Sequence, residues 1–223
     1  MKTGAAALAA ALVAAGAARM VAAAGAPPAG ETVRRDFDED AAGGVPGFFR
    51  FEGTPGLAPE RWKAIPDAQA LSRPMTAVQT DATGQPGHFH FALSTRPAPF
   101  LDGSVEAGTK RSAPKGFARG GVAIRYRSPA DFVAALVDFG SQTVSVLAVR
   151  DGKAETLGAA PIRSNEPVWR TVRLSAAGDR LEVWVSGQKL IDARDPRPRE
   201  GSAGLVAEAP VPVAFDDLVI EKK

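Results

Sequence analysis

The 223-residue sequence predicts an all-β protein, a two-sheet antiparallel sandwich. From Gly87 onward, runs of β-branched and aromatic residues recur between turn residues at the short, even spacing of sandwiches and barrels. Three connections carry the chemistry that tight hairpins demand: Arg150-Asp151-Gly152-Lys153, Ala177-Gly178-Asp179 and Ser186-Gly187-Gln188. Helical periodicity is missing from this half, and no repeat of fixed length marks a solenoid or propeller. About a dozen short strands do not make one flat sheet, so two packed antiparallel sheets follow.

Taken in order, the chain opens on MKTGAAALAAALVAAGAARMVAAAGA. Lys2, an uncharged run from Gly4 to Ala18, and small residues that fit an Ala-x-Ala cleavage rule after Ala24 or Ala26 predict a signal peptide over residues 1–26. A periplasmic or secreted protein follows. The uncharged run is about 15 residues, short of the roughly 20 that span a bilayer, and Arg19 ends it. Met20 offers an alternative start. The full chain carries 27 Lys and Arg against 25 Asp and Glu. Lys2 and Arg19 are the leader's only charges, so its removal leaves 25 of each sign. No basic excess then argues for nucleic acid. The absence of cysteine excludes disulfides and thiolate metal sites. No second membrane segment is expected.

Residues 27–36 are expected to be a linker before a single domain over 37–223. The stretch from Pro27 to about Pro86 is rich in Pro, Gly and Ala and predicts irregular loops, with a first strand near Val33–Phe37 and another around Trp62. Eleven strand candidates follow, from GHFHFALS to VAFDDLVIE. In the hairpin GGVAIRYRSPADFVAALVDFG, a turn at Ser128–Asp131 pairs Arg127 with Phe132, Arg125 with Ala134 and Ala123 with Leu136. Val122, Ile124, Tyr126, Val133, Ala135, Val137 and Phe139 then form a core face. Arg125, Arg127, Leu136 and Asp138 form the opposite face, either solvated or the wall of a shallow groove. Alternation in DRLEVWVSG sends Leu181, Val183 and Val185 inward and leaves Trp184 beside Arg180, Glu182 and Ser186, where its ring could stack on a sugar or cap a loop.

Candidate chemistry is sparse. A glycosidase needs two carboxylates across one bond, and Asp216 and Asp217, being adjacent, point to opposite faces. Phe215, Asp217 and Val219 are expected on one face, and Asp216, Leu218 and Ile220 on the other. No Gly-x-Ser-x-Gly elbow presents a serine to His88 or His90. His88-x-His90 has the spacing of a metal site but no third ligand nearby, so two solvent-facing histidines alternating with Phe89 and Phe91 are expected.

Gly120, Gly121, Arg125, Tyr126, the Asp151-Gly152-Lys153 hairpin, Trp169, Gly178-Asp179-Arg180, Gly187 and the closing Phe215-Asp216-Asp217 together resemble the concanavalin A-like lectin/glucanase jelly roll. The nearest match within it is the laminin G-like and 3-keto-disaccharide hydrolase group of exported bacterial proteins. The likeness runs from Gly116 to Ile220 and more weakly back to Phe37. It implies a jelly-roll sandwich and a carbohydrate partner. Members of the group carry tyrosines and an Arg-x-Asn pattern on the strand that here reads Phe132–Asp138, and a tryptophan where this chain has Val206. Ligand contacts are therefore sought at Arg125, Arg127, Asp138 and Trp184. The resemblance also implies a structural Ca²⁺ held by Asp38, Asp216 and Asp217; the alternative is that the aspartates accept hydrogen bonds from loop amides and tie the chain ends together. No other cofactor is expected. The function expected is a non-catalytic exported module that binds a glycan or surface component, or serves as an accessory domain. The alternative is a sugar-active hydrolase of the 3-keto-disaccharide hydrolase type.

Overall fold

A computed structural model describes residues 30–59, 61–112, 118–163, 169–210 and 212–223. The expected leader and its cleavage points lie outside the described residues. Fifteen strands and no helix make up the described secondary structure. One sheet has eight strands. Its order is β13 (Gln188–Arg194), β12 (Arg180–Val185), β11 (Arg170–Ala177), β6 (Gly103–Arg111), β15 (Val213–Lys222), β4 (Met75–Gln79) and β3 (Trp62–Pro66), with β1 (Thr32–Arg35) also on β15. The second sheet has seven strands. Its order is β10 (Lys153–Pro161), β9 (Thr143–Arg150), β8 (Asp131–Asp138), β7 (Arg119–Ser128), β14 (Ser202–Glu208), β5 (Phe89–Ser94) and β2 (Phe49–Gly53). Every pairing is antiparallel.

The expected linker over 27–36 therefore gives way at Thr32 to a strand paired with the end of the chain. Two more strands, β2 and β4, lie in the stretch expected to be loops. β4, Met-Thr-Ala-Val-Gln, is buried at every position, so it lacks the alternation by which a half-buried strand is recognised. The hairpin turns follow their residues. Asp151-Gly152 and Ser186-Gly187 both take left-handed φ at both central positions, as type I′ turns require.

Between the sheets lies a core that includes Val122, Ile124, Val133, Ala135, Leu181, Val183 and Val185, each on the face expected of it. The seven-stranded sheet carries a second apolar layer on its outer face, where Phe89, Phe91, Tyr126, Phe132, Leu136 and Val206 are all buried. The Phe91 ring lies 4.7 Å from Tyr126 and 4.9 Å from Phe132. β5 and β8 are three strand spacings apart, roughly 14 Å, so these rings lean together over β14 and β7. There Gly204 and Gly121 clear the way: a Cβ on either would strike the carbonyl oxygen of the neighbouring strand. Buried on both faces, β8 reads as a continuous apolar run, FVAALV.

Candidate functional site

The four expected ligand contacts lie in four separate environments. The hairpin β7–β8 pairs Ala123 with Ala134 and Gly121 with Leu136, two residues out of the expected register, and the shift falls between Ile124 and Ser128. A bulge there, with Arg125 at φ +56°, exchanges the sides of Arg125 and Tyr126. Tyr126 joins the outer aromatic layer, and burial together with its 2.5 Å hydrogen bond to Glu52 pushes its hydroxyl pKa up. Arg125, expected on an open face, is 1% exposed. Its Nη1 donates to Asp195 Oδ2 at 3.0 Å, its Nη2 to the Gly178 carbonyl and its Nε to that of Leu101. Arg150 reaches the same Asp195 oxygen at 2.9 Å and Asp131 at 3.1 Å. Two guanidiniums on one buried carboxylate bind strands of both sheets; this is an internal clamp, closed to ligand. Arg127 remains exposed at the end of its strand, and Asp138 caps the β8–β9 turn by accepting the Gly140 and Ser141 amides at 2.8 and 3.0 Å.

Trp184 stands where alternation puts it, partly buried on the outer face of the eight-stranded sheet. Register sets Arg173 of β11 directly beside it, with Glu106 of β6 one strand further. Glu106, Arg173, Arg180, Glu182 and Trp184 line an open groove of about 500 Å³. Its arginines and carboxylates are paired. Arg173 donates to Glu221 at 2.8 Å, Arg180 to Asp192 at 2.6 Å, and Lys189 to Glu182 at 2.9 Å. The Lys189 hydrogen bond holds the Glu182 carboxyl below its ordinary range, so it stays ionised at neutral pH. Glu106 and Arg173 escaped the sequence reading because β6 and β11 are far apart in the chain. The alternation of Arg173 with inward Val172 and Leu174 was the available clue.

The closing strand has a bulge of its own. Its pairing with β6 shifts between Asp216 and Val219, and Asp217 takes φ +50°. Phe215 consequently shares the core face with Leu218 and Ile220, whereas strict alternation had grouped it with Asp217 and Val219. Asp216 is buried and accepts the Ser72 amide at 2.9 Å, the Ser72 hydroxyl at 3.0 Å and the Asp217 amide at 2.8 Å. Asp38 accepts the Met75 amide at 3.0 Å, and Asp217 is exposed. Donors occupy both oxygens of Asp216 and one of Asp38. Among the described residues, no three acids or histidines come together to hold a metal. The residues thus do not fit the Ca²⁺ site that the resemblance implied, and their geometry matches the amide-binding alternative. His90 faces inward and is fully buried 3.6 Å from Asp81, not solvent-facing; burial pushes its pKa down, partly offset by that carboxylate.

No protein-family model matches the chain, and no curated protein does. Solved structures do. A protein of unknown function from Shewanella oneidensis superposes with a TM-score of 0.57 at 12% identity over 86% of each chain. Bacillus licheniformis β-glucanase superposes at 0.55 and 11% identity over 86% of this chain and 98% of that one. The fold is the concanavalin A-like lectin/glucanase jelly roll. A carbohydrate-binding module of Bacillus subtilis, CBM66, superposes on the same jelly roll at 0.52 and 17% identity, over 73% of this chain and 92% of that one. In this chain the jelly roll carries the aromatic layer on one outer sheet face and the Trp184 groove on the other.

Proposed function

We propose that this is an exported, non-catalytic β-sandwich module that binds glycan through the Trp184 groove. The observation that carries the reading is an aromatic ring left partly open on a polar sheet face, flanked by arginines and carboxylates that are already paired. Such a surface offers an apolar platform for one face of a sugar and directional donors and acceptors for its hydroxyls. Hydrolysis asks for something else, a carboxylic acid kept protonated opposite a second carboxylate. Both of the groove's carboxylates face cations, Glu106 at 3.9 Å from Arg173 and Glu182 at 2.9 Å from Lys189, and neither has the apolar surroundings that keep a carboxylic acid protonated, which favours binding over cleavage. Similar folds that bear the names of a carbohydrate-binding module and a carbohydrate recognition domain support the same reading.

Tryptophan fluorescence titration and affinity electrophoresis against a panel of neutral polysaccharides test it. At least one polymer is expected to shift the emission, and Trp184→Ala is expected to abolish its retardation while leaving the fold intact. Retardation equal in wild type and variant would move the site elsewhere, and sugar release from a bound polymer would make the protein an enzyme. Export rests on the leader alone, so N-terminal sequencing of the mature protein is expected to begin at Gly25 or Pro27; Met1 or Met20 there would remove that part of the reading.

A further inference from the structure

We propose a second binding site, for polysaccharide chains bearing carboxylates, on the rim where β1, β2 and the segment after β5 meet. Two hollows, of about 350 and 550 Å³, adjoin at Ser94 and Thr95. Arg34, Arg35, Arg96 and Phe48 line the first, Arg50 and Arg127 the second. Against these five arginines the lining holds two carboxylates, Glu31 and Glu200. Asp40 ties down Arg35 at 3.1 Å and Glu52 ties down Arg50 at 2.7 Å, so Arg34, Arg96 and Arg127 supply the loosely held positive charge of this rim.

The pairing of these arginines is loose where it matters. Arg96 meets Glu31 at 3.4 Å and Arg127 meets Asp131 at 3.4 Å, with both guanidiniums half exposed or more. Surface pairs of that kind contribute little and exchange readily for a better partner. A carboxylate that accepts two parallel N–H bonds from one guanidinium is such a partner.

Phe48 supplies the independent observation. It is 66% exposed, and its backbone sits at φ +67°, a left-handed conformation that a bulky side chain rarely adopts. Strain of this kind persists where the surrounding structure imposes it, and it concentrates at binding sites. Here it holds a phenyl ring out to solvent. The Arg35 guanidinium lies 4.8 Å from the ring centroid on one side, itself anchored by Asp40 at 3.1 Å. A ring backed by a cation and open on its other face, set among arginine forks, suits a sugar ring whose substituent is a carboxylate. The site shares no lining residue with the Trp184 groove and does not depend on that reading.

Calorimetry and affinity electrophoresis with polygalacturonate test the proposal, with carboxyl-reduced polygalacturonate and dextran sulfate as controls. Polygalacturonate is expected to bind at low salt and to weaken as salt rises, because exposed charges are screened. The carboxyl-reduced polymer is expected not to bind, and dextran sulfate to bind more weakly. Combining Arg96→Gln with Arg127→Gln is expected to weaken polygalacturonate about tenfold or more. Phe48→Gly relieves the left-handed strain, so it is expected to melt at or above wild type while binding several-fold more weakly. Trp184→Ala is expected to leave polygalacturonate affinity unchanged. Equal binding of the carboxyl-reduced polymer or of dextran sulfate would overturn the proposal. So would unaltered affinity in the arginine variant or in a stably folded Phe48→Gly, loss on Trp184→Ala, or no binding of polygalacturonate at low salt.

Discussion

Asp216 shows how much one side chain can hold. Fully buried, it takes three donors on two oxygens and so fastens the β3–β4 loop at Ser72 to the closing strand. Burial pushes its carboxyl pKa up to about 6, against the opposing pull of the Ser72 and Asp217 donors. An acid whose folded pKa exceeds its unfolded value of about 3.9 binds its proton more tightly in the native state. Its contribution to stability is therefore greatest below pH ~4, falls as pH rises toward 6, and is flat above; two units correspond to about 3 kcal/mol. Urea melts of wild type and Asp216→Asn at several pH values check this. The stability of wild type relative to the variant is expected to grow by about 2–3 kcal/mol as pH falls from 7 to 4. A difference independent of pH would mean that the three donors cancel the effect of burial, and a difference that shrinks as pH falls would mean that they outweigh it.

At the scale of single strands, alternation predicts well until a residue is added. Leu181, Val183 and Val185 face the core and Trp184 does not, because β12 keeps strict two-residue periodicity over that stretch. Ile124→Ala removes a fully buried core side chain and is expected to cost ~2–5 kcal/mol, whereas Trp184→Ala is expected to cost about 1 kcal/mol or less. Denaturant midpoints decide between these, and comparable losses at both positions would show the facing to be wrong. The two bulges are where legibility ends. Asp217 is of a residue type that tolerates left-handed φ, which hints at its bulge; Arg125 is not, and nothing in IRYR marks the change of side. Once Arg125 turns inward, its partner is Asp195, 70 residues away, a pairing no local pattern carries. The hairpins with Asp-Gly and Ser-Gly turns were legible because their chemistry is local. β4 was not, because a strand buried on both faces has no periodicity to read.

The two ends of the described chain meet in one sheet, and the way they meet sets the last expectation. One edge of β15 pairs with β6 along nearly its whole length. The other edge is divided: Val213–Phe215 pair with β4, and Leu218–Glu221 with the four residues of β1. The bulge at Asp217 falls at the junction, and there Ser72 and Asp216 hold the loop that separates the two partner strands. A protein lacking residues 30–36 would leave Leu218–Glu221 with a row of unpaired backbone groups, the condition under which sheet edges join other sheets. Four lost pairings at roughly 0.5–1 kcal/mol each give about 2–4 kcal/mol. The truncated protein is expected to unfold at correspondingly lower urea. It is also expected to self-associate with rising concentration, as light scattering would show, because an antiparallel strand from a second copy can take the place of β1. A truncated protein that stays monomeric and unfolds with the full chain would mean that β15 closes the sheet through β6 and β4 alone, and that β1 adds length to the edge without protecting it.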